Sequence, residues 1–488
     1  MRSPGLRLLL SGVVLLAGCL VGPKYKRPSA TAPPAYKEPP PDSFKEAGQW
    51  KTAKPLADFP RGAWWEIFGD PQLNALEEQV TVSNQDLKAA EARFREARAT
   101  VKYNRAAEFP TVAVAPSIMS IRDSPNGPYF PAGFRTISST GEFILPFDFF
   151  YEIDLWGRIR RTVAAAREEA QATAADRQTV SLSLHAELAV DYFDLRSADA
   201  QIRVLNETVR SYFELLQLTT ALFQGGAAPE TDVAQARTQL DDARVQLTDV
   251  FVFRAQYEHA IAVLMGKPPA EFSLPPKPQN LAPPVIPVGV PSQLLERRPD
   301  IAAMERRVAE ANEQIGIARA AYFPTLVLTA TGGFEGSGIS NWLNWPSRFW
   351  AVGPTLTETL FDAGRRRAAS DAAGAGYDAA VANYRQTVLT AFQEVENNLS
   401  GLRVLETEAQ QQNQAVFDSK RAVELFTYRY RGGVDPYLDV VTAQITELAN
   451  ERNAVDIQRR RMEASVSLVK ALGGGWDASK LPFSSSLR

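Results

Sequence analysis

One cysteine and two histidines are all the thiol and imidazole chemistry that this chain of 488 residues carries. Cys19 has no second thiol to meet, which excludes an intramolecular disulfide, a thiol redox pair and a cysteine metal cluster. Its surroundings suit a different reaction. Arg2 and Arg7 flank the start of an apolar run, Leu8 to Ala17, that ends Leu16-Ala17-Gly18-Cys19. This reads as a secretory signal closing on a lipidation motif: small residues fit the signal peptidase, and the thiol takes a diacylglycerol before cleavage ahead of it. The expected modification, a covalent diacylglycerol and an N-terminal acyl chain at Cys19, anchors a chain at a membrane without making it span one. Leu20, not an Asp, follows Cys19, which suits sorting to the outer membrane. His185 and His259 lie inside helical stretches away from any cysteine and read as structural or surface residues. No catalytic constellation is visible, no other cofactor or metal is implied, and the chain is not expected to be an enzyme.

The elements that position everything else are long. From Arg158 to Gln224 the chain runs without a glycine or a proline. Within it Leu184, Leu188, Tyr192, Leu195, Ile202, Leu205, Val209, Phe213 and Leu216 recur in steps of three, four and seven. That spacing makes a narrow apolar seam on one helix, and at 1.5 Å per residue the helix is about 100 Å long. A fibrous coiled coil is the competing reading of this stretch taken alone. The net charge of −3 gives no electrostatic reason to expect nucleic acid, and no later stretch is apolar for long enough to make a transmembrane helix.

Other segments have a different period. Residues 111–121 and 138–155 alternate, and in the second Phe143, Leu145, Phe147, Phe149, Tyr151, Ile153 and Leu155 share one side. Glu142, Asp148, Glu152 and Asp154 share the other. An aromatic face backed by a carboxylate face suits a strand between lipid and water, and a half-buried hairpin in a soluble sandwich is the alternative. Trp342, Trp345 and Trp350, with Phe130 and Phe134, are candidates for aromatic belts at the membrane surface, or for loop packing.

The whole arrangement then repeats. Gly157 and Gly364, Gly225 and Gly432, Pro229 and Pro436, and Gly266 and Gly473 are each 207 residues apart, whereas Phe109 and Phe323 are 214 apart. Breakers that keep register in this way indicate duplication. The organisation expected is a signal peptide at 1–18 and an acylated, extended tether at 19–62 with little structure of its own. A first repeat covers 63–266, with strands 111–121 and 138–155 and a helical hairpin at 157–266. A Pro-rich connector at 267–291 leads to a second repeat at 292–473, with strands 325–334 and 349–361 and a hairpin at 364–473; a tail covers 474–488. Four strands cannot close a barrel, and an open edge in lipid leaves backbone groups unsatisfied, so other copies must complete the sheet. The fold class expected is a membrane β-barrel on a long α-helical barrel, two tandem repeats per chain.

The residues now resemble a known family. Cys19-Leu20-Val21-Gly22-Pro23-Lys24-Tyr25, Trp64-Trp65, Asp70-Pro71, Arg298-Pro299-Asp300-Ile301, Ile315 to Pro324 and the Gly433-Val434-Asp435 turn are similar to outer membrane factor (TolC-like) lipoproteins of the NodT/OprM type. The resemblance implies a homotrimer with a twelve-stranded barrel in the outer membrane lipid and a periplasmic helical tunnel. It implies a role as passive exit duct for small molecules and drugs, with a periplasmic adaptor and an inner-membrane resistance-nodulation-division transporter as partners. In that family an aspartate ring narrows the periplasmic tip. Asp439 falls at the first ring position, but Thr442 departs from the second. Asp232, 207 residues before Asp439, supplies a substitute, so that three copies bring six carboxylates to the tip. Such a ring favours cations; the competing reading is that both residues only start helices. Leu438 and Asp435 complete the candidate gate, and the turns at Gly225-Gly226 and Gly432-Gly433 are candidate adaptor contacts. A type I protein-secretion duct and a metal-ion efflux duct share this architecture, although the five methionines do not cluster. A structural trimeric coiled-coil surface protein is the rival of a different class.

Overall fold

Two helices of 67 residues dominate the computed structural model, which describes residues 20–42, 44, 62–122, 124, 139–277, 282–289, 291–482 and 486. The elements in chain order are α1 (Pro71–Ser83), α2 (Gln85–Ala106), β1 (Thr111–Val114), β2 (Ser117–Ile121), β3 (Thr140–Ile153), α3 (Arg158–Gln224) and α4 (Glu230–Leu264). The second half supplies α5 (Pro299–Ala320), β4 (Thr325–Gly336), β5 (Arg348–Thr357), α6 (Arg365–Arg431) and α7 (Tyr437–Ala471). The two long hairpins match in both arms, 67 residues out and 35 back. The signal segment, Cys19, Phe130 and Phe134 lie outside the described residues.

The sheet runs β1/β2–β3–β4–β5, antiparallel throughout. β1 and β2 pair with β3 in one unbroken register, and the interruption falls at Ala115-Pro116, which that register sets opposite Pro146 and Leu145. Two prolines facing this point remove ladder donors, so one continuous strand is recorded as two. Some expected bounds shift. β3 ends at Ile153, so Leu155 belongs to the turn; β4 continues to Gly336, and β5 ends at Thr357. Leu360 and Phe361 follow as exposed turn residues.

The pairing register separates two faces. Phe143, Leu145, Phe147, Phe149, Tyr151 and Ile153 of β3 stand beside Val112, Val114 and Ile118 on one flank. On the other flank are Leu326, Leu328, Ala330 and Phe334, then Trp350, Val352, Pro354 and Leu356. Trp350, Val352, Val112 and Leu356 are among the most exposed large apolar residues of the chain. The opposite face carries Glu142, Asp148, Glu152, Glu335, Thr329, Thr331 and Thr355, and there the Thr331 hydroxyl donates to Asp148 at 2.6 Å. A continuous apolar face backed by a polar one is the signature of a lipid-to-water wall. Among the described residues, the outer edges of β1/β2 and of β5 have no partner strand in the single chain.

Each long helix starts at a left-handed glycine, Gly157 (φ 81°) or Gly364 (φ 87°), whose side chain can accept nothing. Aspartates from the preceding turn take over the capping. Asp154 accepts from the amides of Ile159 and Arg160, and Asp362 from those of Gly364 and Arg366. A carboxylate at this end also complements the helix dipole. The return helices end at Gly266 (φ 67°) and Gly473 (φ 92°). There a Cβ would fall 2.6 Å from the Ser83 carbonyl oxygen and 2.2 Å from that of Arg297, so only glycine fits.

Helix α3 is the centre of the chain, with α2, α4, α5 and α7 packed on it, whereas α6 meets only α7 and α5 extensively. The core lies at mid-height, where Leu188, Leu195 and Tyr192 of α3 share one buried cluster with Val388, Val395 and Leu399 of α6 and Val466 and Val469 of α7. Each such aliphatic side chain contributes about 1.5–3 kcal/mol by leaving water. Polar groups in this core are paired. The Tyr192 hydroxyl donates to Asp70 at 2.6 Å, and fully buried Arg196 reaches Asp199, Gln72 and the Pro275 carbonyl. Trp65 stacks on His185, whose Nδ1 lies 2.6 Å from Glu77. Burial pushes the Glu77 carboxyl up and the His185 imidazole down, each toward its uncharged form. Asp194 of α3 faces Glu463 of α7 and lies 3.6 Å from Arg459 of the same helix. Burial first, and Glu463 next, push Asp194 to about 7.

Within the segment expected to be an extended tether with little structure of its own, the described residues 20–42 are held in place. The Val21 amide donates to the Trp156 carbonyl, and Arg161, only 2% exposed, donates to the carbonyls of Val21 and Pro23 and to Glu313. Lower down Tyr25 donates to Glu305, the amides of Lys37 and Glu38 donate to Glu396, and Arg403 pairs with Glu38. The Asp42 amide reaches Glu406. The N-terminal strap therefore runs from the foot of the sheet down to α6. The Pro-rich connector buries Leu274, Ile286 and Val288, and the C-terminal tail buries Trp476 against Ala175, Ala302 and Ala303.

Candidate functional site

The helix reversals are built by the same local chemistry. At the first, Gly225 ends α3, Gly226 takes φ 77°, and the Ala227 amide donates back to the Leu222 carbonyl at 2.8 Å. At the second, Gly432 ends α6, Gly433 takes φ 70°, and the Val434 amide donates to the Arg429 carbonyl at 3.0 Å. These glycine-ended helices satisfy their last carbonyls from the following turn. Pro229 and Pro436 then set the entry into α4 and α7.

The four candidate gate residues take three different positions. Asp232 stands in the first turn of α4, and the Tyr430 hydroxyl of α6 donates to it at 3.5 Å, so a tyrosine of one hairpin touches an aspartate of the other. Partial burial raises the Asp232 carboxyl, and the Tyr430 hydrogen bond pulls it back. Asp439 stands in the first turn of α7 beside Ser419, Ala422, Phe426 and Thr442, in a shallow groove between α6 and α7. Among the described residues no hydrogen bond or ion pair joins Asp232 to Asp439 within the chain. Asp435 precedes α7 and receives both Arg429 nitrogens at 2.6 and 2.7 Å, which hold its carboxyl below the usual carboxylate range. Leu438 is exposed.

Two residues that spacing alone did not single out organise this end. Tyr430 is buried with its ring 5.3 Å from Tyr437, and both pack against Leu215, Ala236, Val440 and Val441. Arg429 closes the second turn and, more weakly, feels Asp439. The internal repeat holds the available signal. Arg429, Tyr430, Asp435 and Tyr437 stand where the first hairpin has Leu222, Phe223, Ala228 and Glu230. Polar groups at only one of two matched turns mark the places where the turns differ in work.

The chain matches the family model described as "Outer membrane efflux protein" over residues 76–267 and 290–474. It is 32% identical over 477 residues to the toluene efflux pump outer membrane protein TtgI of Pseudomonas putida, covering 97% of this chain and 99% of that protein. It is 32% identical over 457 residues to the pyoverdine export outer membrane protein OpmQ of Pseudomonas putida, covering 92% and 95%. Among solved structures, the outer-membrane channel OprN superposes with a TM-score of 0.84 at 32% identity, over 94% of this chain and 100% of that one. The Campylobacter jejuni CmeC outer membrane channel gives 0.84 at 25% identity, over 95% and 96%.

Proposed function

We propose how this chain, which belongs to the outer membrane efflux protein family, carries out export: three copies form one duct that conducts passively and is held shut at its periplasmic tip. The chain is an outer membrane efflux channel component. The observation that carries the duct reading is the sheet with one lipid-compatible face, one polar face and two unpaired edges, set on helices about 100 Å long. Twelve strands from three chains satisfy those edges, and the helices below them line a tunnel. The energy comes from partners: an inner-membrane resistance-nodulation-division transporter and a periplasmic adaptor that meets the turns at Gly225-Gly226 and Gly432-Gly433. The relatives named for toluene and for pyoverdine export support small organic molecules as cargo.

The N-terminus supports a lipid anchor. Leu20 lies against Gly157 at the foot of the sheet, and it directly follows Cys19, the residue expected to carry the lipid, in the sequence. A diacylglycerol on that thiol then enters the leaflet beside the barrel.

At the tip, Tyr430 ties the second hairpin to Asp232 of the first, and Arg429 folds the second turn over Asp435. An adaptor that draws the turns apart breaks these contacts, and the freed carboxylates of Asp232 and Asp439 favour cations in the opening. The test is single-channel conductance in a planar bilayer, wild type against Asp232→Ala/Asp439→Ala. Conductance that rises while cation preference weakens supports the acidic gate. A pore unchanged by the substitutions removes both residues from the gate, and intact trimers without a pore remove the duct.

A further inference from the structure

A cavity of about 570 Å³ lies between α3, α6 and α7, the size of a small-molecule site. Along α3 its lining residues Phe193, Ser197, Ala200, Val204 and Glu207 recur in steps of three and four, so one stripe of the helix forms that wall. Val455 and Met462 of α7 add apolar surface. The cations on its walls are Arg196, Arg203, Lys420, Arg459 and Arg461. Most of them are matched: Arg196 by Asp199, Arg203 by Glu207, Lys420 by Glu451, and Arg459 by Asp456 and Glu463. Among the described residues no carboxylate pairs with Arg461. Its Nη1 donates to Gln458 at 3.3 Å, and its buried Nε has no acceptor. Burial lowers the pKa of this guanidinium, and the more distant charge of Glu406 opposes that. On the α3 wall, the Nε of fully buried Arg196 and the hydroxyl of Ser197 are also buried without a partner among the described residues.

The internal repeat shows what an arginine takes at this place. Arg254 of α4 stands 207 residues before Arg461, and all three of its nitrogens are used. Nε donates to Asp199 at 2.8 Å, Nη1 to Glu258 at 3.3 Å and Nη2 to the Leu274 carbonyl at 2.6 Å. The matched acceptors of the second repeat serve other groups. Glu406, equivalent to Asp199, accepts from the Asp42 amide of the strap. Ser465, equivalent to Glu258, donates its hydroxyl to the Arg461 carbonyl. Duplication kept the cation and redirected its acceptors, and a half-buried guanidinium without an acceptor is costly.

We propose that this cavity binds a small organic carboxylate, whose oxygens accept from Arg461 and whose apolar body lies along Phe193, Val204, Val455 and Met462. A planar guanidinium recognises a carboxylate through parallel hydrogen bonds, and Arg254 already takes carboxylates at the matched position. Ser197 and Arg196 supply further donors from the opposite wall. The remaining wall cations are balanced, so one negative charge matches the one unpaired guanidinium, and a doubly charged phosphate exceeds it. The bound molecule touches α3, α6 and α7 together and so ties the second hairpin to the first. The site stands on these residues alone and does not depend on the duct reading.

The test is equilibrium binding of 2-naphthoate to the full-length protein in lipid nanodiscs, read by naphthoate fluorescence against empty discs and by the melting temperature of the protein. Naphthoate is expected to bind and to raise the melting temperature. Arg461→Gln is expected to weaken binding about tenfold or more, and 2-naphthamide, the same shape without the charge, to bind the wild type as weakly. Arg460→Gln, exposed and paired with Glu408 outside the cavity, is expected to bind naphthoate as the wild type does. Val455→Trp fills the cavity with Arg461 intact and is expected to remove binding, which keeps the test decisive if Arg461→Gln does not fold. Equal binding of naphthoate and naphthamide overturns carboxylate recognition. Equal binding by wild type and either cavity variant overturns the site, and no binding to the wild type at several millimolar naphthoate overturns the proposal outright.

Discussion

The two hairpins have equal lengths and matched breakers, yet they are opposite in where they are secured. Twenty-eight residues of α3 are buried, against nine of α6. At its upper end α3 is held by Arg161, while the equivalent residue of α6 is exposed Ala368. Lower down, Arg196 and Asp199 form a buried pair, and their equivalents Arg403 and Glu406 turn outward and hold the N-terminal strap. At the tip the order reverses, because the second turn carries the Arg429–Asp435 pair and the first has Leu222 and Ala228. Duplication supplied the same scaffold twice. The first copy became the fixed interior of the chain, and the second became the arm that the strap takes hold of.

The largest effect expected from breaking this asymmetry is at Arg161. Arg161→Ala leaves Glu313 without its partner in a buried site and frees two strap carbonyls, a loss of about 3–5 kcal/mol. Ala368→Gly at the matched position costs about 1 kcal/mol or less. Thermal unfolding of the purified protein, with protease release of residues 20–42, measures both; equal effects would remove Arg161 as the anchor.

A smaller effect is expected at the junction of α3 and α7. Because burial raises the Asp194 carboxyl to about 7, its contribution is fully present below the ordinary carboxylate pKa and is lost as pH rises toward 7. Asp191, raised by burial to about 6, and Glu187 face the same site from α3; Arg459, Asp456 and Glu463 face it from α7, and Tyr257 from α4. Asp194→Asn should therefore flatten the fall in stability between pH 4 and 8, shifting the melting temperature by about 2–4 °C for each kcal/mol relieved. An unchanged pH profile would remove Asp194 as the source of the fall.

The smallest change in stability is expected at the tip. Arg429→Ala breaks a pair whose arginine is exposed, so unfolding should not move measurably. Open probability in a bilayer should still rise, and Leu222→Ala at the matched turn should leave it near wild type. Equal opening by both would make the two turns equivalent in gating.

Much of this architecture is legible in the sequence, because glycine and proline act locally. The matched breakers from Gly157 to Gly473 register a duplication without any contact being known, and alternation along β3 separates its two faces. The parts that were not legible depend on partners far along the chain. Pro116 breaks a strand beside Pro146, the strap is held by Arg161, and Tyr430 meets Asp232 some two hundred residues away. The turn motif that brought in Asp435 could not name Arg429 as its partner, because the pair forms only when the turn closes.

The strap has a mechanical consequence. Residues 20–42 are extended chain, spanning at most about 80 Å, and they are tied at the top to Trp156 and Arg161 and at the bottom to Glu396 and Glu406. If the second hairpin slides down by one helical turn, about 5.4 Å, the ties at Lys37, Glu38 and Asp42 are strap contacts that resist it. The strap works as a depth gauge: it fixes how far the second hairpin hangs below the membrane and leaves the tips free to part sideways.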